Sequence, residues 1–147
     1  MEQIDWLKMM NYQQELHRFS RKLLPKGQKQ SLTASERELL AFLYLDSNGM
    51  TPLSLSRHTG MKKEAVSRCL KRLYESGYIQ RKSHPQDERS HLLFLTETGQ
   101  IELKKDCDSI LKPLYCLRRE MGESFECLFE MIGKANQRMD DTTKERL

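Results

Sequence analysis

The stretch that most constrains this chain is residues 61–99, MKKEAVSRCLKRLYESGYIQRKSHPQDERSHLLFLTETG. It reads as a short basic helix, a turn at Gly77, a strand, a charged hairpin tip and a second strand, with a further helix opening after Thr96. From residue 62 to 72 the cations Lys62, Lys63, Arg68, Lys71 and Arg72 stand against one acid, Glu64. The strand pair adds Arg81, Lys82 and Arg89, with Pro85 near the tip and Asp87 and Glu88 just before Arg89. From Lys62 to His91 there are eight Lys/Arg and four Asp/Glu, a surplus equal to the net charge of +4 of the whole chain. Everything outside this window is neutral. A neutral body with one cationic edge, made of a helix and a hairpin, is an electrostatic footprint for nucleic acid. A merely solvated charged face is the bland alternative, and the coincidence of charge, helix and hairpin weighs against it.

The segments around this stretch read as helices. Residues 2–24 place Trp6, Met9, Tyr12, Leu16, Phe19 and Leu23 on one stripe, and Pro25 and Gly27 end that helix. Thr33-Ala34-Ser35-Glu36 is a capping box that opens a helix running to about Asp46. Thr51-Pro52 starts a short one that ends near Thr59-Gly60. The basic helix follows almost at once, and two short helices joined by a tight Gly-containing turn form a helix-turn-helix. In the second of them Val66, Cys69, Leu70 and Leu73 share one face. That leaves Lys63, Glu64, Ala65, Ser67, Arg68, Lys71 and Arg72 facing outward, where an N-terminal surface would enter a major groove. Residues 78–82 and 90–96 are strand-like, and a hairpin in this position is a wing.

After Thr96, an N-cap, a long helix is expected with a seam of Leu103, Cys107, Ile110, Leu114, Leu117 and Met121, kinked at Pro113. Gly122 marks a break, and Phe125, Leu128, Ile132, Ala135 and Met139 form one more stripe. Apolar seams at both ends, with no partner inside the winged module, suggest a helical dimerisation layer. Folding back within one chain is the competing reading. The expected class is therefore mainly α with a small β-hairpin wing, a winged helix-turn-helix over 33–99 flanked by dimerisation helices over 1–32 and 100–147. At 147 residues this is most simply a single domain.

LSLSRHTGMKKEAVSRCLKRLYESGYIQR followed by HPQDERSHLLFLTETG resembles the helix-turn-helix and wing of MarR-type transcription regulators. The resemblance rests on Gly60-Met61, Val66-Ser67-Arg68, the helix exit Leu73…Gly77-Tyr78-Ile79, the wing signature Asp87-Glu88-Arg89 and the junction Leu95-Thr96-Glu97-Thr98-Gly99. It implies a homodimer whose terminal helices interlock while two winged modules reach double-stranded DNA. By that resemblance Arg89 would enter the minor groove, Asp87 would brace the wing through an ion pair, and the start of the 62–72 helix would read bases. Lys63, Glu64, Ala65 and Arg68 are the candidates for base readout, and Lys62, Ser67, Lys71, Arg72 and Arg81 for phosphate. The family's habit points to repression at a near-palindromic site. Two residues depart from the pattern: Lys62 stands where a Ser or Thr N-cap is usual, and Thr59 where an apolar residue usually packs under the turn.

Other chemistries find little support. His17, His58, His84 and His91 lie in different elements, and no Gly-x-Ser-x-Gly, P-loop or HExxH is present, so no catalysis is expected. His84, Asp87, His91 and Cys107 lack zinc-type spacing, and no metal or cofactor is expected. Cys69 and Cys107 fall on apolar faces, which leaves Cys116 and Cys127 as the candidates for a redox-sensing thiol. A family-type crevice for a small apolar or aromatic effector would draw on Tyr12, Leu16, Phe19, Phe42 and Ile110. A winged helix used only for protein contacts is the third class, and salt dependence would separate it from DNA binding. No apolar run approaches the ~20 residues that span a bilayer. The start MEQIDWLKMM has neither a basic n-region nor an apolar h-region, so a cytoplasmic location is expected.

Overall fold

Local capping chemistry sets where most of the helices begin and end. The computed structural model describes residues 5–24 and 31–144. In chain order these form α1 (Trp6–Leu23), α2 (Ala34–Leu45), α3 (Pro52–Thr59), α4 (Lys63–Glu75), β1 (Ile79–His84), β2 (Asp87–Leu95), α5 (Glu97–Ile110), α6 (Lys112–Met121) and α7 (Glu123–Lys144). At α2 the reciprocal capping box is complete: the Glu36 backbone N–H donates to Thr33 Oγ1 at 3.2 Å, and the Thr33 N–H to Glu36 Oε2 at 2.8 Å. Thr51 caps α3 through the Ser54 N–H, with Pro52 at the first helical position. Gly60 then closes α3 in the left-handed region, φ 70°. The next helix, α4, begins without a side-chain cap, because Lys62 offers no acceptor. The end expected for the first helix at Pro25 and Gly27 lies outside the described residues.

The helices and strands divide into two compact units, residues 27–109 and residues 1–26 with 110–147. In the first, α2, α3, α4, the hairpin and α5 close over Leu39, Leu40, Leu55, Val66, Leu73 and Leu93, all essentially inaccessible. The exit from α4 is a Schellman turn: Gly77 takes φ 74°, the Tyr78 N–H donates to the Leu73 carbonyl and the Gly77 N–H to that of Tyr74. β1 and β2 pair antiparallel from Ile79↔Leu95 to Ser83↔His91, then shift register to His84↔Asp87 at the tip. Both strands run closer to the tip than the 78–82 and 90–96 expected. Their outer halves are stabilised by ladder hydrogen bonds and not by burial, so apolar patterning stops short of them. Met50 adds an isolated bridge to Leu93, exchanging both backbone hydrogen bonds at 3.2 and 2.9 Å.

The long C-terminal helix is interrupted at one residue, Leu111. Pro113 has no N–H, and its ring would meet the carbonyl of residue 109, so α5 ends at Ile110 and α6 restarts at Lys112. Gly122, φ 56°, separates α6 from α7. In the second unit α1, α6 and α7 contain no buried residue among those described. Met9, Tyr12 and Leu16, the centre of the α1 stripe, are 53%, 52% and 63% exposed. The apolar faces of α6 and α7 are half-buried, and among the described residues none of the three helices has a fully buried one.

Candidate nucleic-acid interface

The recognition surface starts from the division of labour along α4. Val66, Cys69, Leu70 and Leu73 are buried, as a 3.6-residue repeat requires, which pushes Lys63, Glu64, Ser67, Arg68 and Lys71 outward. Ala65 is half-buried. The turn before α4 is held by Thr59, whose hydroxyl donates to the Leu55 carbonyl at 2.8 Å and accepts the Met61 N–H at 3.2 Å. A polar residue is tolerated at this place because both roles of its hydroxyl are satisfied.

Arg72 is exposed but, unlike Lys63 and Arg68, it is paired. Its Nε donates to Glu36 Oε1 at 2.7 Å, tying α4 to the first turn of α2. Burial pulls the Glu36 carboxyl upward, but the Thr33 N–H, the Thr33 hydroxyl and the Arg72 guanidinium outweigh it and hold the group below its ordinary value of 4.5. A carboxyl whose native pKa is depressed contributes stability above its unfolded value, and that stability is lost as pH falls through the native one. Acid unfolding should therefore steepen below about pH 4.5. Glu36→Gln should flatten that limb in urea titrations at stepped pH, and an unchanged limb would place the linkage elsewhere.

On the wing, the Asp87 carboxylate accepts the Arg89 backbone N–H at 3.0 Å. The brace is thus a local turn, and among the described residues Asp87 has no ion pair. The Gln86 N–H donates to His84 Nδ1 at 3.1 Å, closing the tip. Lys71 approaches Glu75 at 4.0 Å, and Arg81 lies over the Tyr74 ring. Lys62, Lys63, Arg68 and Arg89 are exposed and form no ion pair among the described residues. A cleft of about 770 Å³ runs between the wing and the helix-turn-helix, with Arg81, Arg89, His84 and His91 along its walls beside Pro52 and Leu70. Helix and hairpin thus expose uncompensated cations on one unit, a surface suited to phosphates.

Tyr12, Leu16 and Phe19 lie on α1, and Ile110 ends α5. Phe42, on α2, packs against the core of the unit formed by residues 27–109, 5.7 Å from the His58 ring. Cys69 is buried, and burial followed by the Asp106 carboxylate pushes the Cys107 thiol up. Cys116 and Cys127 are exposed. Among the described residues no three His, Cys, Asp or Glu are placed to hold a metal ion, and no helix is long and apolar enough to cross a membrane. Periodicity and charge missed the Met50 bridge, the Glu36 partner of Arg72 and the ring beneath Arg81. The first two join residues far apart in sequence, while Tyr74 and Arg81 straddle the Gly77 turn.

Residues 32–91 match the model of the MarR family. Among curated proteins none matches the chain. Among solved structures, a MarR/EmrR family transcriptional regulator from Acinetobacter sp. ADP1 is 26% identical, with 94% of this chain and 99% of that chain covered and a TM-score of 0.70. A mutant MarR from E. coli complexed with operator DNA is 22% identical over 71% of this chain and 75% of that one, TM-score 0.57. The PcaV transcriptional regulator from Streptomyces coelicolor, in complex with its natural ligand, is 17% identical over 93% and 98%, TM-score 0.60.

Proposed function

We propose that the chain is a MarR-type winged-helix protein and, from that premise, a DNA-binding transcription regulator, a repressor that occupies a near-palindromic duplex site as a homodimer. The observation that carries the DNA part is the set of exposed cations Lys62, Lys63, Arg68 and Arg89 on α4 and the wing, which form no ion pair among the described residues. The E. coli relative solved on operator DNA supports using this fold in that way. In this reading Lys63, Glu64, Ala65 and Arg68 meet base edges, while Lys62, Ser67, Lys71 and Arg81 meet phosphates. Arg72 is set aside from the phosphate group because its guanidinium serves Glu36. Arg89 enters the minor groove from a tip shaped by Asp87.

The homodimer is supported by α1, α6 and α7, which contain no buried residue among those described although each carries an apolar face. A second copy would cover those faces and set two winged modules about one helical turn apart, roughly 10 bp centre to centre. PcaV was solved with its natural ligand, and an apolar or aromatic small molecule is the effector class proposed here, with Tyr12 and Phe19 supplying aromatic surface. A cytoplasmic location follows from this function. Arg89→Ala should weaken duplex binding by about 1–3 kcal/mol, measured by fluorescence anisotropy, without shifting the melting temperature. Undiminished affinity would remove the wing from the interface.

A further inference from the structure

Two neighbouring cations of β1 are seated on aromatic rings. The Arg81 guanidinium carbon lies 5.0 Å from the centre of the Tyr74 ring, and Lys82 Nζ lies 4.8 Å from that of Phe94. Tyr74 is in the last turn of α4, is 51% exposed and stands outside the buried stripe of that helix. At this half-exposed position the ring has a charged partner. The partner is a cation on the strand that leads into the wing.

The two contacts differ in what they leave available. A guanidinium keeps its five N–H donors in its own plane, so a ring that takes one face leaves the edges free for a phosphate. An ammonium has no such fork, and it meets ring and phosphate with the same few hydrogens. Arg81 also lines the cleft that Arg89 lines, so the seated guanidinium and the wing arginine border one concavity. Holding a long side chain in one orientation before binding removes the cost of ordering it on the duplex.

Resting on the DNA-binding reading above, we propose that Tyr74 is a positioning residue for DNA: its ring pre-orients Arg81 toward a backbone phosphate and couples the wing cation to the recognition helix. The duplex is held by Arg81 and not by Tyr74, which separates this role from a direct contact by the ring. The test is a double-mutant cycle on a labelled mixed-sequence duplex, titrated across a salt series, with thermal melting to show that each variant is folded. Tyr74→Leu should weaken binding about two- to five-fold, the size of an exposed cation–π contact, and Tyr74→Phe should restore it. Arg81→Ala should lower the log–log salt slope by about 0.9, the share of one neutralised phosphate. In that background Tyr74→Leu should have no further effect. The proposal is overturned if Tyr74→Leu binds as tightly as wild type, or if it costs the same factor with Arg81 absent. A wild-type protein with no salt-dependent duplex binding would instead overturn the DNA-binding reading and this proposal with it.

Discussion

Replacing Arg37 by methionine is expected to destabilise the protein by about 3–5 kcal/mol, the usual cost of leaving a buried charge without its partner. Asp106 on α5 is only 6% exposed, and its Oδ2 accepts from Arg37 Nε at 2.5 Å. The same guanidinium donates to the Leu32 carbonyl at 3.3 Å, just ahead of α2. Ser31 donates to Glu102 beside it, so two polar contacts hold the approach to α2 against α5. Methionine keeps most of the stem volume but offers no donor, which leaves the Asp106 carboxylate dehydrated and unpaired. Urea titration of the variant should show the midpoint fall with the slope unchanged. Arg37→Met with Asp106→Leu should recover much of the stability, because an apolar replacement of both partners is often near neutral. A single variant as stable as wild type would mean that water reaches Asp106.

Gly99→Ala is expected to cost about 2–4 kcal/mol, although alanine is the better helix former by about 1 kcal/mol. A Cβ at this position would lie 2.1 Å from the Tyr78 carbonyl oxygen and 2.9 Å from its carbon. Both are backbone atoms, so no rotamer change relieves the overlap. Thr96 prevents an easy retreat: its N–H donates to the Tyr78 carbonyl at 3.0 Å and its hydroxyl to the Gly77 carbonyl at 2.6 Å. Its Oγ1 also accepts the Gly99 N–H at 3.0 Å, which caps α5. Steric cost therefore outweighs propensity here, and the Leu95-Thr96-x-x-Gly99 junction gains a physical meaning: threonine welds the hairpin to α5, and glycine lets the two backbones meet. A melting temperature at or above that of wild type would show that α5 can slide.

These junctions also show what could be read from residues alone. The capping box at Thr33, the Thr51-Pro52 start, the buried face of α4 and the Thr96 cap follow rules that act within about one helical turn, and all four are present in the fold. Arg72 was legible only as an outward cation, because its Glu36 partner is 36 residues away and approaches through tertiary packing. The Met50–Leu93 bridge is a single residue pair with no run of alternation to announce it. Pro113 signalled a disturbance in the helix, and the interruption falls at Leu111, which takes φ −79°, ψ −8° before α6. The stripes of α1 and α7 were plain in sequence, whereas what covers them is not a matter of local rules.

That this winged helix reads duplex DNA as a symmetric pair is decided by selection from random duplexes with the purified protein at two salt concentrations. An enriched inverted repeat with half-site centres about 10 bp apart is expected, bound more weakly at the higher salt as phosphate contacts are screened. Recovery of no enriched sequence, together with no duplex binding at either salt, would refute the reading and turn the cationic edge of α4 and the wing toward an acidic protein partner.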